Sequence, residues 1–178
     1  KEEDFFHIRQ KCQMVFQFPA LLDSISILEN VAFGLRRHFK LTEEEIKKRV
    51  KEDLALVNLK DIEQKMPQEI SYGMQKRASL ARAVISRPQY VLYDEPTTGL
   101  DPITTNQVNT LIKKLSIELK CTSLVVSHDM HCALDIADKI AVLDKGQVIE
   151  YGSPKEILDS KQPIVSEFLS EVKDHYVA

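Results

Sequence analysis

The sequence has 178 residues, of which 43% are hydrophobic and 29% charged, and its formal net charge is −3. This length and composition are typical of one ordinary folded domain and exclude a disordered chain, while the slight acidic excess argues against a general nucleic-acid surface. No apolar stretch approaches the ~20 residues of a membrane helix. The three cysteines form no CxxC pair, so neither a disulfide framework nor a zinc ribbon is indicated, and a reducing cytosol fits best.

The first half of the chain combines one strand with a helical region. Residues 11–17 (KCQMVFQ) form an apolar run before Pro19, which predicts a strand leading into a loop. From residue 25 to 87 the pattern is helical, and Thr42-x-x-Glu45 is a capping box that opens a helix. One face of that helix carries four apolar residues: Ile46, Val50, Leu54 and Val57.

The second half of the chain alternates strands and helices. A buried strand is expected at 90–93, followed by a helix that Asp101 caps and that runs from Pro102 to about Leu119. A second buried strand is expected at 122–127. Two strands at 141–143 and 148–149, joined by a turn at Gly146, come next, and a short helix begins at Pro154. This alternation predicts an α/β fold with a largely parallel sheet, and the helical region becomes a subdomain.

Two adjacent carboxylates, Asp94 and Glu95, follow the strand at 90–93. Open α/β sheets place their ligands at the C-terminal ends of the strands. In such a place Asp94 can hold Mg²⁺, directly or through water, while Glu95 orients or deprotonates an attacking water. An isolated Asp-Glu pair more often simply ends a strand at the surface, so the pair alone leaves both interpretations open.

Four further segments surround this pair. Gln17 ends the first strand, and residues 70–75 (ISYGMQ) lead into a helix that begins near Met74. Residues 99–101 (GLD) follow the two carboxylates, and His128 ends a later strand. In this order around YVLYDEP, the segments resemble the ATP-binding-cassette (ABC) family, and the resemblance covers nearly the whole chain. It implies a P-loop NTPase core of the RecA-like type.

The resemblance also implies a role for each residue around the attacking water. Asp94 would be the Mg²⁺-holding Walker B aspartate and Glu95 the catalytic glutamate. Gln17 would be the Q-loop glutamine, which contacts Mg²⁺ and water. His128 would be the switch histidine that contacts the γ-phosphate of ATP.

A second group of residues would face the nucleotide of the opposite subunit. Ser71, Gly73, Met74 and Gln75 lie in the family signature, where backbone N–H groups and the positive end of a helix can meet a γ-phosphate. Asp101 would be the D-loop aspartate at the dimer interface.

Simpler interpretations exist for several of these residues. A Ser-x-Gly before a helix is more often an ordinary N-cap with a turn glycine, Asp101 equally suits a helix N-cap, and a lone histidine such as His128 is usually structural. A Ser127-His128-Asp129 triad is excluded because neighbouring side chains diverge. A His128/His131 metal pair lacks a third ligand at diagnostic spacing.

The signature departs from the usual LSGGQ of the family. Tyr72 stands where glycine is usual, and Met74 stands where glutamine is usual. A signature ending in Gly-Met, together with residues 15–38 and the DPIT at 101–104, resembles the ATPases of Mce/Mla-type phospholipid transporters. The alternatives are the ATPase of an amino-acid or other small-solute importer, or a soluble ABC protein without a transport role.

The chain contains no phosphate-binding loop of the form GxxxxGK[ST], since none of its five glycines precedes a lysine. The resemblance implies that this loop, and the aromatic residue that stacks on adenine, belong before Lys1. The expectation is therefore an N-terminally truncated ABC ATPase domain at 1–178, with a helical subdomain at 22–88 and the C-terminal part of the core at 89–178. Alone, this chain is expected to hydrolyse little or no ATP.

For the complete protein, the resemblance implies an ATP- and Mg²⁺-dependent ATPase on the cytoplasmic face of a membrane. Its expected partners are a second copy of the ATPase, transmembrane permease subunits and a lipid-binding Mce-type protein, with no nucleic acid. A helical stripe in the tail predicts either core packing or a docking face for the partner ATPase. Its members are Ile164, Val165, Phe168, Leu169 and Val172.

Overall fold

The computed structural model describes residues 2–170, apart from the side chains of residues 2–4, 6 and 7. The chain divides into two compact units, Lys1–Val126 and Ser127–Ala178, and each is described by itself. Among the described residues, no helix is both long enough and apolar enough to cross a membrane.

The first unit contains five α-helices, three strands and one short 3-10 turn within its described residues. In chain order these are α1 (Glu2–Lys11), β1 (Cys12–Val15), α2 (Ile27–His38), α3 (Glu43–Leu56), the 3-10 turn (Pro67–Glu69), α4 (Tyr72–Val84), β2 (Tyr90–Asp94), α5 (Pro102–Leu119) and β3 (Thr122–Val126). Helix α1 was not predicted, and its apolar residues Phe5 and Ile8 lie exposed rather than in a core.

The three strands form a parallel sheet in the order β1-β2-β3. Val15 of β1 pairs with Tyr93 of β2, which in turn pairs with Val125 of β3. The predicted parallel α/β sheet is therefore confirmed. This register brings the C-terminal ends of all three strands to the same edge.

The two faces of this sheet differ in burial. Val91 and Tyr93 of β2 are buried at 0% and 1% exposure, and α4 packs against β1 while α5 packs against β3. Leu124 and Val126 of β3 are 60% and 57% exposed. The prediction of a buried strand at 122–127 is thus wrong for the described residues, because along Thr122–Val126 exposed side chains alternate with half-buried ones and none is fully buried.

The helical region is held by the local signals that predicted it. The Thr42 hydroxyl accepts the N–H of Glu45, and the Glu45 carboxylate accepts the N–H of Thr42 at 2.8 Å, which completes the capping box. The four residues of the predicted apolar face are at most 2% exposed: Ile46, Val50, Leu54 and Val57. Helices α2, α3 and α4 pack against one another around this stripe.

An ion pair between the buried Asp53 and the partly exposed Arg87 joins α3 to the segment after α4. Both oxygens of Asp53, which is 0% exposed, accept N–H groups of the Arg87 guanidinium at 2.6 Å. Arg87 has a φ of 54°, a left-handed conformation that side chains other than glycine rarely adopt. Its hydrogen bonds to Asp53 raise the pKa of Arg87 against the effect of burial.

Replacing Arg87 with alanine is expected to destabilise the chain, because the Asp53 carboxylate would remain buried without its partner. The expected loss in the free energy of unfolding is about 2–4 kcal/mol, somewhat below the cost of breaking a fully buried pair because part of the guanidinium is solvated. Urea unfolding measures it. The control, Lys48→Ala on the exposed face of α3, should change stability by less than ~0.5 kcal/mol; equal effects of the two variants would contradict this role of the ion pair.

The second unit is built around a hairpin. Its elements are α6 (Met130–Ile136), β4 (Ile140–Asp144), β5 (Gln147–Gly152), α7 (Pro154–Leu158) and α8 (Pro163–Ser170). The antiparallel strands β4 and β5 turn through Lys145 and Gly146, whose φ angles of 47° and 78° suit a two-residue hairpin loop. The predicted strand pair and its glycine turn are confirmed.

The core of this unit includes part of the tail stripe. Val165 and Leu169 of α8 are both 0% exposed, whereas Phe168 is 47% exposed. They pack with residues of β4, α6 and α7: Leu134, Ile140, Val142 and Ile157. Core packing is therefore observed for part of the stripe, and Val172 lies outside the described residues.

Helix α7 begins with a second capping box. The Glu156 carboxylate accepts the N–H of Ser153 at 2.6 Å and its hydroxyl at 2.7 Å, and Lys139 lies 3.5 Å away. These hydrogen bonds from Ser153, followed by the charge of Lys139, lower the pKa of Glu156 to about 2. Gly152 allows the close approach, since a Cβ there would lie 2.9 Å from Cβ of Glu156.

This depressed pKa predicts a pH dependence of stability. A carboxylate with a folded-state pKa of about 2 against an ordinary 4.5 stabilises the fold above pH 4.5, and the contribution is lost as the pH falls towards 2. In urea unfolding, the difference in the free energy of unfolding between the wild type and Glu156→Gln should therefore decrease as the pH falls from 4.5 towards 2. Lys155→Gln changes the charge of the same helix but leaves the capping box, so it should keep the wild-type profile. A gap that stays constant with pH would refute the assignment.

Candidate functional site

The two predicted carboxylates lie at the end of β2. Asp94 is its last residue, and the N–H of Glu95 donates to the carbonyl of Val126 at 2.9 Å, so the pairing with β3 continues one residue further. Glu95 has a φ of 46°, in the left-handed region. A non-glycine residue held in this conformation is costly and marks a place where the surroundings fix the backbone.

The side chains of the pair have different surroundings. Asp94 contributes a carboxylate to the lining of an open cavity of about 300 Å³ on the exposed face of the sheet, beside Met14 and Leu92. The Glu95 carboxylate instead accepts the hydroxyl of Thr98 at 3.2 Å, within its own turn. Thr98 was not identified from the sequence, although a threonine three residues after a strand-end carboxylate is a recognisable turn partner.

The loop that carries Gln17 follows β1 and is bound to helix α4. The ammonium of Lys76 donates to the carbonyl of Gln17. The Arg82 guanidinium donates to the carbonyls of Pro19 at 3.1 Å and Ala20 at 2.6 Å. Two cations on one helix therefore hold three carbonyls of this loop.

Lys76 is buried, with 1% of its surface exposed. Its Nζ lies 5.7 Å from the centroid of the Tyr72 ring. Burial lowers the pKa of Lys76, and attraction to the Glu95 carboxylate opposes that shift. This residue was not predicted from the sequence. The available signal was its spacing, since Tyr72, Lys76 and Leu80 recur every four residues and so share one face of the helix.

The signature residues form the first turn of α4. Ser71 is the N-cap, and its hydroxyl accepts the N–H of Met74 at 3.3 Å. The helix begins at Tyr72, earlier than the predicted start near Met74. The side-chain amide of Gln75 donates to the carbonyls of Pro67 at 2.9 Å and Ile70 at 3.4 Å. Gln75 therefore supports the segment before the helix, and nucleotide contacts from Met74 and Gln75 stay predictions.

The first turn of α4 also packs against the start of α5. A Cβ at Gly73 would lie 3.0 Å from Cγ2 of Thr104, which is tighter than ordinary van der Waals contact, so a larger residue there would have to displace the Thr104 side chain. Gly99 has a φ of 81°, which favours glycine, and a Cβ there would be in ordinary van der Waals contact with Cε1 of the Tyr72 ring at 3.5 Å. The tyrosine that replaces the usual signature glycine thus lies between Gly99 and Lys76.

Asp101 caps helix α5. Its carboxylate accepts the N–H of Thr104 at 3.0 Å and the Thr104 hydroxyl at 2.6 Å. Both hydrogen bonds lower the pKa of Asp101, and the one from the Thr104 hydroxyl contributes most. The N-cap interpretation of Asp101 is observed, while its interface role stays a prediction.

His128 follows β3 by two residues and belongs to the second unit. The residues beside it are used in capping: the Asp129 carboxylate accepts the N–H of His131 at 2.9 Å, and the Ser127 hydroxyl accepts the N–H of Asp129 at 3.1 Å. The switch role of His128 stays a prediction.

Comparison with known proteins decides the family. The family profile described as ABC transporter matches residues 1–98, more than half of the chain. The chain belongs to the ABC transporter family. Within this ABC chain, Asp94 ends β2 and Glu95 follows it, the loop with Gln17 is bound to α4, and Ser71 caps the start of α4.

Curated relatives of this ABC chain differ in their described roles. It is 39% identical over 168 residues to the probable ribonucleotide transport ATP-binding protein mkl of Mycobacterium tuberculosis, covering 94% of this chain and 47% of mkl. It is 39% identical over 171 residues to the intermembrane phospholipid transport system ATP-binding protein MlaF of Haemophilus influenzae, covering 96% of this chain and 65% of MlaF. The chain therefore spans about half to two thirds of the length of these relatives.

The fold agrees with a solved ABC structure. The structure of cbiO1 from Clostridium perfringens, described as part of the ABC transporter complex cbiONQ, superposes with a TM-score of 0.82 at 28% identity. The alignment covers 98% of this chain and 69% of cbiO1. The predicted P-loop NTPase fold class is thereby confirmed.

The oxygen donors at this sheet edge suit a magnesium ion carried by phosphate groups. Mg²⁺ prefers oxygen ligands, takes only one or two from carboxylates and keeps waters or phosphates for the rest. Asp94 offers a half-buried carboxylate, and Gln17 offers a side-chain amide oxygen from the loop beside it. These residues therefore fit the metal that the family resemblance implies.

The N-cap and phosphate roles of Ser71 can be separated by substitution. Ser71→Ala should lower the free energy of unfolding by about 1 kcal/mol because the N–H of Met74 loses its acceptor. Ser71→Asp should restore the lost stability, since aspartate caps equally well, yet it places a negative charge where a phosphate would approach. Urea unfolding of both variants measures the cap, and a stability of Ser71→Asp no better than Ser71→Ala would contradict it.

Proposed function

We propose that this chain supplies the water-activating and partner-facing parts of an ATPase that powers membrane transport. The observation that supports it most is the arrangement at one sheet edge: Asp94 and Glu95 end β2, and Gln17 follows the neighbouring strand β1. Carboxyl ends of parallel strands are the ligand-binding edge of such sheets. The family membership fits the same chemistry.

The side chains at this edge would divide the hydrolysis of ATP between them. Asp94 and Gln17 would hold Mg²⁺, which neutralises charge on the β- and γ-phosphates when bound. Glu95 would accept a proton from the attacking water, with Thr98 holding its carboxylate in orientation. For His128 we keep the switch role at the γ-phosphate that the family resemblance implies.

The first turn of α4 would act on a nucleotide held by a second ABC subunit. The N-terminus of a helix carries partial positive charge and N–H groups that stabilise phosphate. Ser71, Gly73, Met74 and Gln75 would present this end across a dimer interface, with Asp101 beside them. The close packing of Gly73 on Thr104 supports joint placement of the two segments.

For the transported substrate we propose phospholipid, with transmembrane permease subunits and a lipid-binding Mce-type protein as partners on the cytoplasmic side of a membrane. The Gly-Met ending of the signature and the DPIT at 101–104 support it, as does the similarity to MlaF. The equal identity to mkl, named for ribonucleotide transport, favours a small-solute importer as the second candidate.

A fusion tests the hydrolytic role. The segment of Haemophilus influenzae MlaF that precedes its aligned region is joined to Lys1, to supply the phosphate-binding loop that the family resemblance implies before that residue. We expect this fusion to hydrolyse ATP in a Mg²⁺-dependent manner, and Glu95→Gln to lower kcat about 10²–10⁴-fold because a general base is lost. The present chain without the fused segment should hydrolyse little or no ATP.

The matched control for the fusion is Lys114→Ala, which removes an exposed lysine of α5 whose ion pair is with Glu118, one helical turn away. It should leave kcat unchanged. A folded fusion without activity, or a Glu95→Gln variant as active as the parent, would overturn the proposed function.

A further inference from the structure

The ammonium of Lys76 is a charged group of the first unit that the proposed chemistry leaves unexplained. It lies on α4 with 1% exposure, and a buried charge is costly unless the protein satisfies it. The acceptor is the main-chain carbonyl of Gln17, 59 residues earlier in the chain. A long-range contact of this kind fixes the position of a loop rather than the stability of a helix.

Two further groups surround this ammonium. Tyr72, in the first turn of the same helix, places its ring centroid 5.7 Å from Nζ, within the range of a cation–π contact. Glu95 supplies the attraction of an opposite charge. Lys76 therefore touches or attracts three segments: the loop after β1, the signature turn and the end of β2.

The loop after β1 has a backbone conformation that residues outside the loop must stabilise. Ala20 has a φ of 49°, a left-handed conformation that a non-glycine residue keeps only when its surroundings impose it. Arg82 binds the carbonyls of Pro19 and Ala20, so it anchors the loop two to three residues after Gln17. Lys76 anchors the near end, at the residue whose side chain would contact Mg²⁺.

We propose that Lys76 is a positioning residue that fixes the Gln17 backbone to the first turn of α4, so that these two segments move as one body. A catalytic role of this anchor rests on the proposed function, whereas the anchoring itself rests on the contacts of Lys76 alone. Lys76 acts through the backbone of Gln17 and contacts no reacting atom.

NMR relaxation of the full chain tests the anchor. In the wild type, amides of Gln17 and Phe18 should have order parameters of about 0.85, as in rigid backbone, and in Lys76→Met they should fall below about 0.6. Lys76→Arg, which keeps charge and donors, should restore the wild-type values. Should Lys76→Met fail to fold, Lys76→Gln, which removes the charge and the reach of the donor, is measured in its place.

The control is Lys114→Met, at an exposed lysine on α5, which should leave these amides rigid. Unchanged order parameters in Lys76→Met would overturn the proposal. The proposal also fails if the amides of Gln17 and Phe18 are as mobile in Lys76→Arg as in Lys76→Met. The loss of rigidity would then come from altered core packing and not from the loss of the cation.

Kinetics of the MlaF fusion provide a second readout. Misplacing Gln17 should lower kcat about 10-fold or more in Lys76→Met, with KM for ATP within about twofold because the phosphate-binding loop is untouched. A proportional rise in KM with unchanged kcat would contradict a positioning role. If the parent fusion hydrolyses no ATP, the proposed function fails, whereas the relaxation data still decide the role of Lys76.

Discussion

The parallel pairing of β1, β2 and β3 is the constraint on which the candidate site depends. Because Val15 pairs with Tyr93 and Asp94 with Val126, the chain leaves each strand at the same edge. A slip of one residue would exchange the two faces of a strand and carry Tyr93 out of the core. The buried alternation of β2 therefore sets both the stability of the sheet and the position of Asp94 and Glu95.

Helix α4 binds or packs against several of the segments that carry the candidate site residues. Its first turn holds the signature, its buried face carries Lys76, and Arg82 lies further along it. The two cations bind carbonyls of the loop after β1, while Gly73 and Tyr72 pack against the start of α5 and its preceding turn. One helix thus connects segments that are far apart in sequence, which is the physical basis for their proposed joint action on ATP.

Much of the fold followed from local sequence signals. The capping boxes at Thr42 and Ser153, the N-cap Asp101 and the turn at Gly146 each form within a few residues, so their sequence pattern is sufficient. The contacts of Lys76 and Arg82 were not predicted, because they join residues about 60 positions apart and a lysine or arginine in a helix is usually solvated. The exposure of Leu124 was missed for a related reason: an apolar strand does not reveal how many layers cover it.

In the proposed site, Asp94, Glu95 and Gln17 would surround a magnesium-bound nucleotide, while Ser71 and Gly73 would face the nucleotide of a second subunit. A crystal structure of the MlaF fusion carrying Glu95→Gln, with ATP and Mg²⁺, tests it most directly. We expect a Mg²⁺ about 2.1 Å from its oxygen ligands, with Asp94 and Gln17 bound directly or through water. We also expect a γ-phosphate from the partner subunit at the N-terminus of α4. A nucleotide bound away from both the β2 edge and α4 would contradict the claim.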